Sequence, residues 1–106
     1  MTTRARLGRT NYKGRFERLA EQARAMGYRV VFVKPRLMHD YVGMNPEAAR
    51  VMGYPMPANE IRIVDEMDWK DNYKTLKHEL VEMGLMRGGM KYYPAHAMAL
   101  RYENEG

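Results

Sequence analysis

The sequence predicts a small α+β domain, and three stretches carry that expectation. Residues 69–87 repeat Trp69, Tyr73, Leu76, Leu80 and Met83 at three- and four-residue intervals, the period of a helix with one buried stripe. Residues 28–33 are a β-branched run closed by Lys34 and Pro35, the make-up of a strand. Residues 60–65 alternate, Ile61 and Ile63 against Arg62 and Val64, which predicts a second strand with one wet face.

The other elements follow in chain order. Residues 1–11 read as a flexible basic arm, with Arg4, Arg6 and Arg9 among small residues and no apolar period. A single domain is expected over 12–106. Its first helix spans 12–26, with Phe16, Leu19, Ala20 and Ala23 inward and Gly27 as the stop. Residues 36–43 have no period and read as loop or irregular extension. Asn45 and Pro46 make a helix start, a capping side chain followed by proline in the first turn. That short helix runs through Ala48, Ala49, Val51 and Met52 to Gly53. Pro55 and Pro57 lack N–H donors, so 54–59 is a connection. Asp68 caps the long helix, with Asp71 near its positive end and Arg87 near its negative end. Gly88 and Gly89 end it, and a last helix spans 94–102, returning as a helical hairpin. A short sheet of two or three strands completes the fold.

Composition narrows the function. A chain of 106 residues, 45 % apolar, buries one modest core. There is no cysteine, so disulfides and thiolate metal sites are excluded, and any metal must sit on His, Asp or Glu. The clearest apolar run, 30–33, is far short of the roughly 20 residues that span a membrane. The first residues carry no apolar leader, so a cytoplasmic protein is expected. The net charge of +5 is uneven: residues 1–36 hold ten Lys and Arg against two Glu. Arg4, Arg6, Arg9, Lys13 and Arg15 could therefore meet nucleic acid, or they simply form a solvated surface.

The chemistry-bearing residues lie near the C-terminus. His78 and Glu82 are four apart on one helix, so they point the same way about a turn apart. Glu79 is rotated by about 100° from His78, placed to reach a water on an ion rather than the ion itself. This is the mechanical logic of the His-Glu-x-x-His helix, with Glu82 in place of the second His. The helix is then one imidazole short. His96, carried back by the hairpin, is the natural third ligand. Two imidazoles and one carboxylate form the ligand set of a catalytic zinc site with an open fourth position. The same set suits Fe²⁺ or another divalent metal. On an ordinary charged helix these residues would make only weak ion pairs with neighbours such as Lys74. Tyr92 or Tyr93 would donate to a developing oxyanion, or pack as plain aromatics.

Residues 78–99 also resemble a pattern of small phage and archaeal proteins: His-Glu-x-x-Glu, then Leu-Met, a Gly, and Tyr-x-x-Ala-His-x-x-Ala. His78, Glu79, Glu82, Leu85, Met86, Gly89, Tyr92, Ala95, His96 and Ala99 stand in register with it. With the strand at 60–65 leading into the helix, the span resembles compact zincin-like metallopeptidases such as the minigluzincins. The resemblance implies a zincin-type scaffold, a bound metal, and a host-cytoplasm or virion location if the chain is phage-encoded.

The expected function is a zinc-dependent hydrolase acting on a protein or peptide. His78, Glu82 and His96 would bind the ion, and Glu79 would accept the water proton. The edge of the 60–65 strand would hold an extended substrate. A non-catalytic, metal-stabilised protein-interaction module and a basic nucleic-acid-binding protein are the alternatives.

Overall fold

The computed structural model describes residues 11–103, an α+β fold of five helices and a three-stranded mixed sheet. The basic arm with Arg4, Arg6 and Arg9 lies outside the described residues. The elements are α1 (Tyr12–Ala25), β1 (Arg29–Val33), α2 (Pro35–Met38), β2 (Gly43–Met44), α3 (Pro46–Met52), β3 (Glu60–Val64), α4 (Trp69–Arg87) and α5 (Tyr92–Glu103). Among the described residues no helix is long and apolar enough to cross a membrane.

Capping side chains set the helix starts, because the first amides of a helix have no partner within it. Asn11 Oδ1 accepts from the Gly14 amide, Asn45 Oδ1 from Ala48, and Asp68 Oδ1 from Asp71, at 2.9–3.1 Å. The loop expected over 36–43 is partly ordered instead. Pro35 opens one turn of helix, and His39 and Asp40 reverse the chain at φ 51° and 73°. β2 follows directly. Both elements are too short for periodicity to reveal. The last helix starts two residues before the expected 94, which leaves Pro94 in its first turn, where a missing amide costs nothing.

Strand order is β1-β3-β2, with β1 parallel and β2 antiparallel to β3. Two sequence expectations fail here. β3 does not have a wet face: Ile61 and Ile63 are buried with Phe16, Ala20, Ala23, Leu76 and Met83. Val64, pointing the other way, is buried with Met38, Met44, Ala48 and Ala49. Nor can the β3 edge receive a substrate, because β3 is the central strand and both its edges are paired.

The stripe on α4 also differs in part. Leu76 and Met83 are buried and Tyr73 and Leu80 half-buried, but Trp69 is 39 % exposed. Trp69 instead meets Phe16 and Phe32 edge-on, with ring centroids 5.4 and 6.2 Å apart. A second face of α4 is buried too, and it is polar: Asn72, Thr75, His78, Glu79 and Glu82. Buried polar groups cost stability unless they are paired. The antiparallel return of α5 is seen in its pairings, His78 with Glu103 and Glu82 with His96.

Candidate metal centre

Three side chains from two helices converge. His78 Nε2 lies 3.1 Å from Glu82 Oε2 and 3.1 Å from His96 Nδ1, and His96 Nδ1 lies 2.6 Å from Glu82 Oε2. One ligand atom from each falls within 4.8 Å of the others, the arrangement expected of a metal-binding group. His78 and Glu82 meet because four residues make about one helical turn. His96 joins them because Gly88 and Gly89 turn the chain and α5 runs back along α4. Contacts this short need a hydrogen between the paired atoms, from an imidazole N–H, or a cation shared by all three.

Each of the three side chains is held from behind. His78 Nδ1 is 2.6 Å from Glu103 Oε1, which fixes the ring and leaves Nε2 facing the other ligands. Asn45 is fully buried, and its Nδ2 donates to Glu82 Oε1 (3.0 Å) and to Glu79 Oε1 (2.9 Å). One amide thus holds both carboxylates and leaves Glu82 Oε2 for the centre. Tyr92 stacks on the His96 ring at 5.4 Å between centroids and 26° between planes.

A cavity of about 330 Å³ opens over the group. It is lined by His78, Glu79, Glu82, Tyr92, His96 and Glu103 from the hairpin, and by residues 40–44 from the β2 side. The titratable groups on its wall are carboxyls, imidazoles and phenols, with no Lys or Arg among them. Gly43 is required where β2 crosses α4. A methyl there would stand 2.6 Å from Thr75 Cγ2 and 2.9 Å from Glu79 Oε2, both closer than atoms can pack.

Electrostatics separates the two neighbouring glutamates. Burial pushes the Glu79 carboxyl up to about 8, and the Glu82 charge adds to the rise. Burial opposes ionisation of Glu82 as well, but hydrogen bonds to His78 and His96 hold its carboxyl below the usual range. Burial works against a charged His78, yet its bond to Glu82 and the charges of Glu79 and Glu82 raise it above its ordinary value. Tyr92 is pushed up to about 12, by burial first and then by Glu82, so it stays a neutral O–H donor at the cavity wall.

No known protein family, curated protein or solved structure matches the chain.

His78, Glu82 and His96 are brought together, Glu79 lines the same cavity, and Tyr92 reaches it. Tyr93 does not: it is 82 % exposed, off the cavity wall and edge-on to Tyr92. The physical reason is helical. Adjacent residues on α5 point about 100° apart, so only one of the two tyrosines can face inward. Lys13 and Arg15 lie on α1, away from the cavity, over aromatic rings. Lys13 Nζ is 5.8 Å from the Trp69 ring centre, and the Arg15 guanidinium is 5.2 and 5.4 Å from those of Tyr12 and Tyr73. His39 is exposed at the surface, edge-on to Tyr54.

Two residues of the centre were missed in the sequence. Asn45 reads there only as a helix cap. Glu103 was legible, since it lies seven residues beyond His96 and therefore on the same helix face. Asn45→Ala is expected to destabilise the chain by about 2–4 kcal/mol, from a lost cap and two buried carboxylates left short of a donor. Asn45→Ser keeps a capping oxygen and is expected to recover about 1 kcal/mol of that loss. Urea denaturation of both variants measures the difference.

Proposed function

We propose that this chain is a divalent-metal hydrolase of the peptidase type, built on a zincin-like scaffold. His78, Glu82 and His96 hold the ion, zinc being the best match to two imidazoles and a carboxylate on helices. The observation that carries the reading is the convergence of His78 Nε2, Glu82 Oε2 and His96 Nδ1 at one wall of a cavity that Glu79 also lines. A tetrahedral zinc with bonds of about 2.0–2.1 Å separates its donors by roughly 3.3 Å. The two 3.1 Å contacts of His78 stand near that spacing, and the 2.6 Å contact of His96 with Glu82 is shorter than it. The carboxylate behind His78 and the amide behind Glu82 are the partners that metal ligands characteristically need.

A divalent ion in this position would acidify water and polarise a carbonyl. The chain's own groups divide the remaining tasks. Glu79 would be the proton acceptor once the charge of a bound ion favours its anion: it neighbours the ligands along α4, and Asn45 holds one of its oxygens in place. Tyr92 offers a neutral O–H beside His96 for the negative charge that develops on a carbonyl oxygen.

A peptide is favoured as substrate by β2. Val42 O accepts from the Val64 amide at 2.8 Å, and antiparallel bonds fall on alternate residues. The Gly43 amide and carbonyl therefore turn away from β3, on the strand that lines the cavity beside Glu79. An extended chain added at that edge would lie across the centre. A purely structural metal clip is the second reading, favoured by the way the group ties α4 to α5.

Metal stoichiometry tests the proposal. The purified chain, stripped with chelator and titrated with zinc, is expected to take up one equivalent. Uptake of none overturns both readings. Uptake without hydrolysis of any unfolded protein or peptide library leaves the clip and overturns the hydrolase.

A further inference from the structure

The second groove of the molecule lies far from metal chemistry, along the outer edge of the sheet. It has a volume of about 420 Å³ and is lined by Phe16, Val30, Phe32 and Trp69, with Glu21 and Arg24 at its rim. We propose that this edge pairs with the same edge of a second copy, so that two three-stranded sheets become one continuous sheet.

The backbone of β1 supplies the first argument. The Arg29 amide donates to Asn59 O, and Val33 O accepts from the Asp65 amide, both at 2.8 Å. Pairing groups alternate along a strand, so Arg29, Val31 and Val33 face β3. Val30 and Phe32 turn their amides and carbonyls to the open side, where no described residue takes them up. Natural edges are blunted by proline, bulges or inward charges. The run Arg-Val-Val-Phe-Val has none of these between its ends.

Self-complementarity supplies the second argument, and it selects a second copy over another occupant. In an antiparallel register centred on Val31, Val30 of each copy lies opposite Phe32 of the other. These are the residues with outward backbone groups, so both pairs exchange two main-chain bonds. They also match a β-branched side chain with an aromatic one, a favourable cross-strand combination. Arg29 falls opposite Val33, and Lys34 opposite Tyr28, so no like charges face each other. A register centred on Val30 would need the Tyr28 amide, which already donates to Ala23 O at 3.0 Å. Val30 and Phe32 both line the groove, so pairing brings two such grooves onto one face of the joined sheet. The rim carries Glu17, Glu21 and Arg24, so each copy brings an acid and a base to the shared face.

The chain lacks cysteine, which makes the register directly readable. With Val31 on the two-fold axis, its Cα atoms would stand about 4.5 Å apart, inside the range a disulfide spans. Under mild oxidation at micromolar concentration, Val31→Cys is expected to cross-link at least about tenfold faster than Val33→Cys, whose partner position is Arg29. Sedimentation of the native chain is expected to show a mass rising from one copy to two with concentration. A native chain that stays monomeric throughout overturns the proposal. So does equal cross-linking of the two variants, or a dimer that Val31→Cys fails to trap. Metal binding does not enter this test, so its result is independent of the hydrolase reading.

Discussion

Glu79→Gln is expected to lower turnover by about 10²–10⁴-fold, the usual contribution of a positioned acid–base group, while bound metal stays at the native level. The substitution is nearly isosteric, and the glutamine oxygen still accepts from Asn45 Nδ2 as Glu79 Oε1 does at 2.9 Å. It removes a buried carboxyl that desolvation already disfavours as an anion. Stability should therefore hold or rise, which separates lost chemistry from lost folding. The measurement pairs kcat on a peptide substrate with metal content of the same sample. Unchanged turnover would remove Glu79 from the mechanism. Lost metal would instead make it a ligand.

The second large effect is on metal-linked stability. Saturating zinc at about 1,000 times its dissociation constant stabilises the native chain by roughly 4 kcal/mol. For a domain of about 100 residues each kcal/mol is worth about 4–8 °C, so the melting midpoint should climb by at least about 15 °C. His96→Ala should abolish most of that rise, because two donors remain where three met. The His96 side chain is 38 % exposed, so its removal leaves little void, and the metal-free midpoint should move far less. Thermal melts of both proteins, with chelator and with zinc, give the four numbers needed. An equal zinc response in the two would exclude His96 as a ligand.

These expectations rest on elements that differ in how well they could be read beforehand. The long helix is legible because its stop and start signals are local: Asp68 at one end, paired glycines at the other, and an apolar residue each turn. The convergence of His78 and Glu82 on it is legible for the same reason, since a spacing of four residues fixes direction on a helix. His96 needed only the hairpin. Strand order was not legible. An alternating run such as 60–65 looks the same at an edge as at the centre, and its burial depends on which neighbours arrive. The choice between Tyr92 and Tyr93 was not legible, because two adjacent tyrosines carry no mark of which one faces inward.

From the order of amino acids alone come four of the five helices, two of the three strands, and the set of side chains able to hold a cation. Each of these depends on interactions between residues a few positions apart. The central place of β3, the Gly43 crossing and the role of Asn45 belong to the folded chain. Asn45 bonds to carboxylates 34 and 37 residues away. Contacts at that distance leave no periodic trace, because they are set by how elements pack and not by how each one forms.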